Sequence, residues 1–175
     1  MKKKTLALVL ALTLLVAGVV GGTLAWLTDQ TAEVKNTFTV GDINIGLTET
    51  TTDYKMVPGN TIAKDPTVTV KANSEACWLF VKVTESANLD DFITYAIATG
   101  WTELEAGVYS REVPASAADQ TFSVLAGDAV TVKSDVTRAM LETAKTDAPT
   151  LTFKAYAIQK DHFATADAAW AEVSK

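Results

Sequence analysis

The chain has 175 residues and a formal net charge of −6, with 48% hydrophobic and 21% charged residues. That balance belongs to a globular protein, and the negative charge excludes a surface built to hold nucleic acid or anionic lipid. One cysteine, Cys77, excludes an intrachain disulfide, and one histidine, His162, excludes any zinc site that needs two imidazoles.

Lys2, Lys3 and Lys4 precede an uncharged Leu/Val/Ala-rich run from Thr5 to Val20, which ends at Gly21 and Gly22. Thr23-Leu24-Ala25 then supplies small residues for a peptidase. This order predicts a secretory signal over residues 1–25, cut between Ala25 and Trp26. An uncleaved anchor is the rival, because the run approaches the ~17–25 residues that span a bilayer; the glycine pair and Ala25 favour cleavage. Three lysines and no acid leave with the signal, so the net charge moves from −6 to −9. The remainder, residues 26–175, is expected to be one domain, secreted and touching the membrane only before cleavage.

The next segment reads as a strand. From Trp26 the even positions are Trp26, Thr28, Gln30, Ala32, Val34, Asn36, Phe38 and Val40, and the odd positions, beginning at Leu27, are almost wholly polar. At Gly41 the phase flips, and Ile43, Ile45 and Leu47 become the apolar set. A one-residue shift turns every side chain to the other face, so Gly41-Asp42 calls for a bulge, a bend or a switch between sheets. A turn is expected at Pro58-Gly59-Asn60, a strand carrying Val68 and Val70, and a polar turn at Asn73-Ser74-Glu75. Cys77–Val83 is apolar on both faces near Trp78 and Phe80, which predicts a central strand between covering layers and a buried Cys77. Leu89–Ala98 fits helix or strand. Trp101–Leu104 and Val108–Arg111 suggest a hairpin. Thr121–Leu125 and Ala129–Lys133 give two more strands, and Val136, Met140, Leu141 and Ala144 recur at helical spacing. Thr150–Gln159 is read as another central strand, and residues 163–173 as a helix with Phe163, Ala166, Ala169, Trp170 and Val173 on one stripe. The fold expected is mainly β: a two-sheet sandwich of about eight strands, jelly-roll-like or immunoglobulin-like, with two short helices.

No catalytic or metal site is expected, and no cofactor. His162 lies in Lys160-Asp161-His162-Phe163 and reads as a surface histidine beside an Asp161 cap. No Gly-x-Ser-x-Gly turn supports a Ser-His site. The pairs Asp90-Asp91 and Glu103/Glu105 lie in no calcium-loop pattern and read as solvated turn acids. Trp78, Trp101 and Trp170 read as core. Trp26 differs: at a free terminus, a large apolar residue must find a pocket in its own sandwich or a neighbour's.

Gly21-Gly22-Thr23-Leu24-Ala25-Trp26-Leu27-Thr28-Asp29, followed by Asn36-Thr37-Phe38-Thr39-Val40-Gly41-Asp42-Ile43, resembles the export region of TasA and camelysin-type proteins of Gram-positive bacteria. Pro58-Gly59, Val68–Lys71 and Trp78–Val83 resemble the same family's next section, and the closing Ala168-Ala169-Trp170 its clostridial relatives. The resemblance implies processing by a SipW-type signal peptidase and a jelly-roll domain that builds fibres in biofilm matrix. In such fibres the segment freed by cleavage completes the sheet of the next subunit. Here that donor strand would be Trp26, Leu27, Thr28, Gln30, Ala32 and Val34. The partner would be a second copy, head to tail, or a matrix or anchoring protein. Camelysin has been classed as a metallopeptidase, but this sequence supplies no ligand set, so that activity is not carried over. A monomeric, wall-associated binding module stays open as the alternative.

Overall fold

The computed structural model describes residues 41–52 and 54–175, together with Lys3, Thr5 and Ala7. The chain divides into two compact units, Met1–Thr39 and Val40–Lys175, and the second carries the fold described here. The expected signal, the cut between Ala25 and Trp26, and the donor strand of Trp26, Leu27, Thr28, Gln30, Ala32 and Val34 lie outside the described residues.

In chain order the strands are β1 (Ile45–Thr48), β2 (Thr61–Ala63), β3 (Thr67–Val70), β4 (Cys77–Glu85), β5 (Ile93–Thr94), β6 (Thr102–Glu105), β7 (Val108–Val113), β8 (Gln120–Ser123), β9 (Ala129–Val132) and β10 (Leu151–Gln159). The helices are α1 (Leu89–Phe92), α2 (Arg138–Thr143) and α3 (Ala166–Val173). Three antiparallel sheets form, in the orders β1-β3-β8, β10-β4-β7-β6 and β2-β9-β5. The chain is mainly β, as expected, but the described residues build three sheets and three short helices. The runs Thr121–Leu125 and Ala129–Lys133 join different sheets: β8 pairs with β3, whereas β9 pairs with β2 and β5.

Alternation decides how the layers meet. Val68 and Val70 of β3 are buried toward Cys77, Leu79, Val81 and Val83 of β4, so the first two sheets pack face to face as a sandwich. The opposite face of β4 presents Trp78 and Phe80 to α3, whose Ala169 and Trp170 cover them. Phe80 and Trp170 rings lie 5.3 Å apart, and the Trp170 indole donates to Glu105 Oε1 at 2.7 Å. Burying a side chain such as Phe80 contributes about 1.5–3 kcal/mol. The expected central strand at Cys77–Val83 is thus found, with β10 and β7 on either side. A third cluster joins Phe92, Val132, Val136 and Ala144 beneath α2.

Local chemistry sets the boundaries. Thr137 caps α2 by accepting from Met140 N–H at 3.3 Å, and Thr165 caps α3 by accepting from Ala168 N–H at 3.3 Å. Asp161 therefore caps no helix; it sits in a single 3₁₀ turn, Lys160–His162. Leu89–Ala98 resolves into both of its readings, the one-turn helix α1 followed directly by β5. The expected hairpin is β6–β7, turning at Gly107, whose φ of +74° and 2.7 Å approach of a would-be Cβ to Val83 O leave room for glycine alone.

Thr150–Gln159 was expected to be a central strand, yet among the described residues β10 pairs only with β4 and forms the edge of its sheet. Its two apolar faces arise from layers above and below: Leu151, Phe153, Ala155 and Ala157 face the sandwich interior, while Tyr156 and Ile158 face α3. Cover on both faces leaves the lateral neighbours unspecified.

Candidate functional site

Two features stand out, and they adjoin. The first is a seam along one side of the sandwich. Among the described residues β1 is the edge strand of its sheet and β10 the edge strand of the facing one, and the two strands approach each other. Ile43 and Ile45 on one side, and Leu151, Phe153, Ala155 and Ala157 on the other, pack against the main core but stay only half-buried. Leu47, opposite Val68 in the β1–β3 register, is 36% exposed. By contrast the inward residues of β3 and β4 are sealed. Apolar side chains at an edge, partly wetted, are where another strand or chain gains both backbone hydrogen bonds and burial.

The second feature is a polar cluster at the end of that seam. Lys64, between β2 and β3, is 8% exposed. Its ammonium meets Glu49 Oε1 at 2.6 Å and lies 4.9 Å from the Tyr54 ring centre and 5.4 Å from that of Phe153. The Tyr54 hydroxyl donates to the same Glu49 oxygen at 2.6 Å. Burial first, then that hydrogen bond to a carboxylate, hold the Tyr54 phenol well above its ordinary value. Beside it, Thr50 N–H donates to Asp65 Oδ1 at 2.9 Å and the Thr50 hydroxyl also reaches the Asp65 carboxylate, which keeps Asp65 below the usual carboxylate range. Thr52, Tyr54 and Lys64 line a cavity of about 530 Å³. A smaller cavity of about 330 Å³, reaching Leu47 and Phe153, shares Thr52, Lys64, Leu151 and Thr152 with it. Sequence reading missed Lys64, Glu49 and Tyr54. Lys64 and Glu49 lie fifteen residues apart in Thr-rich and turn-like surroundings, and no spacing marks them as partners.

The residues singled out earlier fall apart in space or into packing roles. His162 is exposed on its 3₁₀ turn. Cys77 is buried in β4, as expected, and burial pushes its thiol up to about 11. Trp78 donates to Phe163 O at 3.0 Å, Trp101 to Ser123 O at 2.9 Å, and Trp170 to Glu105, so all three indoles are satisfied inside the packing. Asp90 lies in the first turn of α1 and pairs with Lys133, whereas Glu105, on β6 rather than in a turn, anchors the Trp170 indole.

Residues 1–86 match a family model described as Camelysin metallo-endopeptidase. The resemblance to TasA and camelysin-type proteins is borne out over that stretch. No curated protein matches the chain, and no solved structure does. The family's description implies a metal ion, and the donors among the described residues do not fit one. Among the described residues no three His, Cys, Asp or Glu side chains converge, the single histidine is exposed, and the single thiol is sealed in the core in its protonated form. No helix of the described residues is long and apolar enough to cross a membrane.

Proposed function

Taking the camelysin family, matched over residues 1–86, as the premise, we propose that this chain is an exported structural protein. In this reading a SipW-type peptidase cuts between Ala25 and Trp26, and the segment so freed adds as a strand to the sheet of a second copy. Repeated head to tail, that addition does not close on itself and produces an extracellular fibre. The role is architectural, not catalytic, and the partner is another copy or a matrix or anchoring protein.

One observation carries the reading: the half-buried apolar seam between the edge strands β1 and β10. On this reading the alternation of Trp26, Ala32 and Val34 with polar neighbours offers that seam a donor with one partly apolar face. Strand addition there satisfies backbone groups along β1 while covering Leu151 and Phe153. The leader acts as a safety device, because a donor fused to a membrane-inserted helix is held back from docking.

Deleting residues 26–34 from the exported protein tests it. The expected product is a folded monomer that forms no filaments by electron microscopy, while the intact exported protein, beginning at Trp26 by N-terminal sequencing, does. An unfolded or strongly destabilised deletion product would show that the segment pairs within its own sheet and would sink the fibre reading.

A further inference from the structure

We propose that the cavity beside Lys64 is a binding site for a neutral amphiphile: an apolar chain bearing an uncharged head that both donates and accepts a hydrogen bond, as a primary amide does. The inference does not rest on the fibre reading.

Size and lining come first. At about 530 Å³ the cavity falls in the range of small-molecule sites, and Met56, Ile62, Ile93, Val130 and Leu151 give it apolar walls. These walls come from the sandwich and from the third sheet, so the space lies where separately packed clusters meet. Exposed Thr52 and Ala148 stand at its rim.

Charge then selects the head. Lys64 lines both this cavity and its smaller neighbour, which Glu49 also lines. The ammonium and the carboxylate are in contact at 2.6 Å with side chains only 10% and 17% exposed, so the polar end of the site is net neutral and already partly desolvated. A carboxylate head would gain Lys64 and meet Glu49; an ammonium would gain Glu49 and meet Lys64. Either would also shed its water to enter. An uncharged amide gives its carbonyl to the Lys64 ammonium and its N–H to the hydroxyl of Thr52 or Thr152, which line the same cavity, and leaves the Lys64–Glu49 pair intact behind it.

The test titrates the purified protein with octanamide, octanoate and octylammonium while following methyl resonances by NMR. Octanamide should give saturable shifts at Met56, Ile62 and Ile93, and both charged analogues should bind about tenfold more weakly or worse. Ala148→Trp, at an exposed rim position, should abolish the octanamide shifts in a protein whose amide spectrum stays folded; Thr52→Trp serves the same purpose if that variant does not fold. Absence of saturable methyl shifts with octanamide would overturn the proposal. So would undiminished binding by the folded rim variant, or octanoate binding as tightly as octanamide.

Discussion

Lys64 is buried, which an ammonium seldom is. An ammonium this enclosed persists because Glu49 and two aromatic faces replace its water. Lys64→Met leaves a partly buried carboxylate with only the Tyr54 hydroxyl, and should cost roughly 2–4 kcal/mol in urea unfolding. The double variant Lys64→Met/Glu49→Leu should recover most of that loss, because the stranded charge is gone. Cys77 gives a pH prediction. Its thiol is pushed up from 9.0 to about 11 by burial, so the folded state holds a proton that the unfolded chain releases first. Stability from this group is complete below pH 9 and lost as pH rises through about 11. Tyr54 and Tyr95 are raised in the same sense from 10.0 and add to the loss above that. Between pH 9 and 10 the decline should flatten in Cys77→Ala, measured by urea midpoints across pH.

Elements differ in what they owe to neighbours. On the fibre reading, Leu47→Lys places a charge on the exposed end of the β1 edge. It should suppress filament formation while shifting monomer stability by no more than about 0.5 kcal/mol, compared by electron microscopy and thermal melts. The strands β3 and β4 and the helix α3 were legible in the sequence because periodicity reports what lies above and below an element. Val68 and Val70 alternate with threonines, and Ala166, Ala169, Trp170 and Val173 fall on one stripe, so each names its buried face directly. β10 shows where that signal stops. Its composition reads like that of β4, yet one is an edge and the other is central, since sideways pairing is made by backbone groups that every residue carries. The third sheet escaped for a related reason: β2 and β5, three and two residues long, are too short to show a period. The Lys64 cluster was illegible because its members come from separate loops.

At the scale of the whole molecule, the three clusters are not equally tied together. β4 gives Cys77, Leu79, Val81 and Val83 to the sandwich core and Phe80 to the cluster under α3, so those two should lose structure in one step. The cluster of Phe92, Val132, Val136 and Ala144 takes no buried residue from β4. Polar ties hold its flank, including Asn88 Nδ2–H to Asp147 O at 2.9 Å and Thr150 N–H to Ser86 Oγ at 2.8 Å. Limited proteolysis should therefore cut first between residues 133 and 148, and amide exchange should be faster in β9 than in β4. A molecule nicked there would keep its sandwich, so those outcomes would mean that the flank around α2 opens independently of β4. On the binding and fibre readings together, one flank would open to a guest while the rest keeps its shape under load from its neighbours.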